Sequence, residues 1–150
     1  MRILMSVMFL LVPIVAFAQI KRTNPAPLSK PTGYTHVVEV SGPAKMVYIS
    51  GQIAFDKDGA VVGPGDMKAQ AEQVFKNLQA ALGAAGAKFS DVVKMNSYIT
   101  DMSKVQAVRD VRAQYFKDAT PASTFVEVKG LVRPELLLEI EVVAVTSPQR

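Results

Sequence analysis

The sequence contains no cysteine. That absence excludes a thiol nucleophile, a disulfide, a thiolate metal site and a lipidated N-terminal cysteine. It also suits an oxidising compartment. Histidine is almost as scarce. His36 stands alone, so no histidine cluster can bind zinc and no histidine pair can share proton transfer. Neither a metal site nor a cofactor is expected. Charged residues make up 20% of the chain and the basic ones are dispersed, as at Lys45, Lys76, Lys94, Arg112 and Arg133. No basic run interleaves with aromatics, so nucleic acid is not an expected partner.

A long apolar run occurs once, at the start. After Arg2 the chain is apolar from Ile3, relieved by Ser6 and broken by Pro13, and it ends Ala16-Phe17-Ala18. A short basic opening, an apolar run and small residues at the end are the marks of a cleavable signal peptide. Residues 1–18 are therefore read as that peptide, cleaved after Ala18 to leave Gln19 first. The competing reading is a membrane anchor, for which the run is short, since a span needs about 20 apolar residues. Cleavage leaves no stable membrane anchor and implies a periplasmic or secreted protein. Losing Arg2 takes the net charge from +4 to +3.

What remains has the size of one domain; the full chain is 49% hydrophobic, part of it in the N-terminal run, and the rest suffices to bury a core. Residues 19–33 carry Pro25, Pro27 and Pro31 among polar residues and read as an extended lead-in rather than an element. The folded domain is expected over 34–146. His36–Val40 reads as a strand, Ser41–Ala44 as a turn and Met46–Ile49 as its hairpin partner. Asp56–Gly59 is a turn signal. Asp66 is a candidate N-cap for a helix whose stripe is Met67, Ala71, Val74, Phe75, Leu78, Ala81 and Leu82, with Gln70, Gln73, Lys76, Asn77 and Gln79 on the other face and Gly86 at the end. Val92–Ile99 reads as a strand. Val105, Val108, Val111, Arg112, Tyr115 and Phe116 mark a second helix, and Thr124–Val128 and Leu136–Val145 two more strands. The order is β-β-α-β-α-β-β, an α+β domain with two helices on one face of a mixed sheet. The last strand is apolar on both faces, so the face the helices leave open is expected to pack on other copies of the chain.

Several segments together resemble one family. Val47–Ile53 (VYISGQI) is similar to the "S-G-Q-(I/V)" strand of the RidA (YjgF) family. Gln70–Leu78 resembles its "Q…N-(L/V)" helix. Ala84-Ala85-Gly86 with Asp91–Lys94 resembles "A-A-G…D-(V/I)-V-K", and Thr100-Asp101-Met102 resembles "T-D-M/L". Pro121-Ala122 opens its "P-A-R-S" signature, and Glu139–Ala144 resembles "E-I-E-A-I-A". The resemblance runs from about Gly33 to Val145. It implies a chorismate-mutase-like fold and a barrel-cored homotrimer with three intersubunit clefts for small carboxylate-bearing molecules.

The family chemistry is hydrolysis of an enamine or imine such as 2-iminopropanoate. It calls for a guanidinium holding the substrate carboxylate and a carboxyl group beside a placed water. Carried over residue by residue, Tyr34 matches the tyrosine that lines the cleft from the neighbouring subunit, Ser50 and Gly51 match the cleft floor, and Glu139 matches the water-positioning glutamate. The arginine of "P-A-R-S" falls on Ser123, the cysteine two positions later on Phe125, and a cleft asparagine on Arg109. Serine is neutral and offers one donor, so it cannot replace a two-pronged cation. Arg109 has two readings: it rebuilds an anion site from a new direction, or it is a solvated helix residue pairing with Asp110 or a neighbour. The functional expectation is a small-molecule binding protein of the RidA type without 2-iminopropanoate deaminase activity. The alternative is a deaminase or related hydrolase of altered specificity using Glu139 and a water. An endoribonuclease, the activity reported for some relatives, is disfavoured by the dispersed charge.

Overall fold

The computed structural model describes residues 17–148; the stretch expected to form most of the signal peptide lies outside the described residues. Ten elements follow, eight of them regular strands and helices. They are β1 (Gln19–Thr23), β2 (Val37–Ser41), β3 (Lys45–Gln52), α1 (Met67–Ala84), β4 (Val92–Ile99), α2 (Val105–Phe116), β5 (Ala122–Glu127) and β6 (Leu138–Thr146), with single 3₁₀ turns at Phe89–Asp91 and Met102–Lys104. The main sheet runs β3-β6-β4-β5. Its β4–β5 pair is parallel and the others antiparallel, which makes the sheet mixed, as expected.

The helix signals act as read. The Asp66 carboxylate accepts from the Lys68 and Ala69 amides at 2.9 and 3.1 Å, satisfying free N–H groups of the first turn of α1. Gly86, at φ 73°, takes up the left-handed backbone just past its end. The α1 stripe of Met67, Ala71, Val74, Phe75, Leu78 and Leu82 packs with Val108, Val111 and Phe116 of α2 on Leu138, Ile140, Val142 and Ala144 of β6. An aromatic cluster closes the helix end of this core, with Phe75 stacked on Tyr115 at 5.0 Å and Phe89 against Phe116.

Three expectations are corrected. First, residues 19–33 are not all lead-in. Gln19–Thr23 is a strand, paired antiparallel with β2 from Gln19↔Ser41 to Thr23↔Val37. Its anchor is Arg22, whose guanidinium donates to the carbonyls of Thr120, Ser90 and Val92 at 3.2, 2.9 and 3.3 Å. Second, β2 and β3 do not form a hairpin. β2 takes β1 as partner, while β3 takes β6, from Lys45↔Thr146 onward. Between them Gly42 sits at φ 81°, and Pro43 has no amide to give a ladder. Third, Gln70 is not on the solvent face of α1. It is fully buried. Its side-chain amide donates to the carbonyls of Gly63 and Glu135, and its oxygen accepts from the Leu137 amide at 2.8 Å. The residue splints two loops whose backbone groups have no ladder to satisfy them.

The face of the main sheet away from the helices is open. Tyr48 is 76% exposed there, with Met46 and Val126 also exposed and Glu139, Glu141 and Val143 half-buried. No helix among the described residues is long and apolar enough to cross a membrane.

Candidate functional site

Two elements and one loop converge at the end of β5. Ser123 and Phe125 are two apart on β5 and share a face, opposite Met95 and Ser97 of β4. Arg109 and Arg112 are three apart on α2, so they share one side of the helix. Tyr34 is held between them by its neighbour. The Thr35 amide donates to the Pro121 carbonyl at 2.9 Å, and its hydroxyl donates to the Thr120 carbonyl at 2.8 Å. The Tyr34 ring meets His36 edge-on at 5.1 Å. His36 itself donates from Nε2 to the Ser29 carbonyl at 2.8 Å, the satisfied role its solitary position suggests.

The result is a cleft of about 140 Å³ lined by Thr32, Tyr34, Arg109, Arg112, Ser123 and Phe125. Four residues singled out from sequence, Tyr34, Arg109, Ser123 and Phe125, therefore line one cavity. Arg109 makes no salt bridge with Asp110. That carboxylate instead accepts from Gln106 at 2.7 Å.

Ser50, Gly51 and Glu139 lie elsewhere in the chain. The β3–β6 register slips between Ile49↔Val142 and Gln52↔Ile140. This bulge swings Ser50 and Gly51 out of the ladder beside Glu139. Gly51 is bare for a reason: a Cβ there would overlap the Glu139 carboxylate. Glu139 accepts no hydrogen bond from a described side chain. Ser50 also lines a depression of about 320 Å³ on the open face with Tyr48, Lys94, Asn96 and Glu141. Glu141 accepts there from Asn96 at 2.8 Å and from the Tyr98 hydroxyl at 3.0 Å. The hydrogen bond to Glu141, with burial and the charges of Glu141 and Glu139 adding to it, pushes the Tyr98 phenol above its usual range.

Sequence reasoning put Arg112 on the packed stripe of α2 but gave it no role. The structure leaves it 6% exposed, with its guanidinium against Gly33. Burial, and then the like charge of Arg109, lower its pKa, though a guanidinium remains charged at any physiological pH. Its signal in the sequence was a lone cation inside an apolar stripe, one turn from another arginine. Among the described residues no three His, Asp or Glu side chains cluster to hold a metal.

The domain assembled by these elements matches a known family. Residues 24–146 fit the family model described as endoribonuclease L-PSP. The chain belongs to the RidA/YjgF family. Protein DfrA of Myxococcus xanthus is 39% identical to this RidA-family chain over 113 residues, which span 75% of it and 85% of DfrA. The crystal structure of YyfB from Yersinia pestis, a Rid-family protein of unknown function, superposes with a TM-score of 0.76 at 35% identity, covering 83% of this chain and 97% of that one. E. coli TdcF, solved with bound serine, superposes with a TM-score of 0.62 at 34% identity, covering 68% of this chain and 81% of TdcF. The α+β fold, with two helices on a mixed sheet, is that of the RidA family.

Proposed function

We propose that this RidA-family chain binds a small metabolite in a cleft between subunits and lacks the family's 2-iminopropanoate deaminase activity. The observation that carries the reading is the place of Ser123. It stands where the "P-A-R-S" signature has arginine, and it lines the cleft together with Tyr34, Arg109 and Phe125. A neutral hydroxyl offers a carboxylate one donor in place of a fork of two. A hydrogen bond to a charged group contributes about 1.5–3 kcal/mol, so a carboxylate held from β5 binds roughly 10- to 100-fold more weakly. Phe125 next to it narrows the same wall. The serine bound to TdcF supports a ligand of amino-acid size in that relative.

Homotrimerisation is part of the proposal. The open sheet face carries exposed Tyr48, Met46 and Val126, an apolar surface that a second copy would cover. The candidate residues also split into two patches within one subunit, as residues of a cleft completed across a boundary would. Export is proposed from the apolar run and its Ala-Phe-Ala end, and cleavage after Ala18 would leave β1, which begins at Gln19, whole. That places the ligand in the periplasm or outside the cell.

The second reading, a hydrolase of altered specificity, is favoured by one observation: the Glu139 carboxylate lies against bare Gly51 with no side chain bonded to it, free to hold a water. The test is hydrolysis of 2-iminopropanoate by the purified protein. A rate at the buffer background is expected. Turnover that disappears in Glu139→Gln would replace the first reading with the second.

A further inference from the structure

A buried cation without a partner is costly, so folds rarely leave one unless something else completes it. The other arginines of this fold show the ordinary solution. Arg22, half-buried, has three backbone carbonyls. Arg133, exposed, lies over the Phe55 ring at 4.8 Å. Arg112 is the more deeply buried and makes no hydrogen bond or salt bridge with any described residue, yet its nitrogens are not sealed off: they open onto the two cavities the residue lines, and a second guanidinium, Arg109, is close enough to oppose its charge. Two cations that converge without a carboxylate between them form an anion site.

Space is available on the side of Arg112 away from the cleft. A groove of about 410 Å³ runs along α2, lined by Thr32, Gly33, Arg109, Arg112 and Lys117 among others. That volume falls within the range of small-molecule sites, whereas the cleft at about 140 Å³ falls below it. Thr32, Arg109 and Arg112 line both cavities, so the guanidiniums stand at their junction. Lys117 ends α2 at φ 46°, the one non-glycine with positive φ among the described residues, a conformation that concentrates at ligand sites. Asp110 is the acidic member of the lining, against three cations, and one of its oxygens is occupied by Gln106. Gly33 leaves room for the Arg112 guanidinium, which a Cβ would overlap.

We propose that Arg112, with Arg109 beside it, anchors an oxyanion group, a carboxylate or a phosphate, of a ligand whose body lies along the α2 groove. The anion anchor is thus on the helix wall, not on β5 where Ser123 stands. A ligand held there is longer than 2-iminopropanoate and directed away from Glu139. The proposal deepens the binding-protein reading and rests on it. The two fail separately: imine turnover would retire that reading, whereas the groove is tested by anion binding alone.

The experiment is thermal unfolding of the purified protein at constant ionic strength, titrated with inorganic phosphate or with acetate against chloride. Wild type, Arg112→Met and Lys117→Met are compared. Wild type is expected to gain ~4 °C with one of the anions, and the larger gain assigns phosphate or carboxylate as the ligand group. Arg112→Met keeps the apolar packing of the side chain, should fold, and should show no specific gain. Lys117→Met, on the exposed groove wall, should fold normally and lose about half of the gain. Equal gains in all three proteins, or no gain in wild type with either anion, would each overturn the proposal.

Discussion

Gly51 lies bare against the carboxylate of Glu139, so close that a single added methyl group would overlap it. The carboxylate of β6 thus fills the space that a side chain on the β3 bulge would need. Gly51→Ala is expected to push Glu139 aside and to cost about 1–2 kcal/mol, the usual scale of overpacking at a flexible neighbour. In the Gly51→Ala/Glu139→Ala pair the overlap is gone, so the double variant should be more stable than the sum of the singles. Chemical denaturation of the four proteins measures that coupling. Strict additivity would mean that the two residues do not touch.

Arg22 holds β1 to the rest of the domain through three carbonyls, on two separate segments. Arg22→Ala is expected to lose about 1.5–3 kcal/mol of stability. It should also speed amide exchange in β1 and its partner β2 more than in β4 or β6. Uniform acceleration across the domain would show that β1 is not a locally anchored unit.

Tyr98 donates to Glu141, and that bond is lost when the phenol ionises. Its folded pKa is raised above the usual 10.0. A group raised on folding contributes stability that is fully present below its unfolded pKa and is lost as pH rises through the folded value. Unfolding midpoints should therefore decline above about pH 10. Tyr98→Phe should flatten that alkaline decline. An unchanged alkaline limb in Tyr98→Phe would assign the decline to other groups.

Tyr48, 76% exposed on the open sheet face, is expected to sit in the contact between copies. Sedimentation should give three chains for wild type and smaller species for Tyr48→Glu, because a buried unpaired carboxylate disfavours assembly. A Tyr48→Glu protein that sediments as wild type would move the interface elsewhere.

Much of this fold was readable along the chain. Val92–Ile99 is a strand with the bounds its apolar run indicates, and Asp66 and Gly86 bracket α1 because caps act through neighbouring amides. What was hidden depends on distant partners. β1 exists because Arg22 reaches carbonyls 68 to 98 residues away, and three prolines downstream disguise it. Gln70 looks like a surface amide until Gly63, Glu135 and Leu137 close around it. At the site, Tyr34, Arg109, Ser123 and Phe125 of one chain line one cleft; the resemblance matches each to a cleft position but puts the tyrosine on a neighbouring subunit. Arg112 was legible as a helix residue but not as a buried charge, since its burial depends on the Gly33 loop. Glu139, Ser50 and Gly51 form a separate patch, because the β3 bulge and β6 place them on the sheet away from the α2 end of β5.

The most direct test of Ser123 as the missing anchor is 2-iminopropanoate hydrolysis by wild type and Ser123→Arg, assayed side by side. Wild type at background and a clear gain in Ser123→Arg, by roughly 10- to 100-fold if the guanidinium recovers its carboxylate contact, is the expected result. An active wild type that Ser123→Arg does not improve would contradict it.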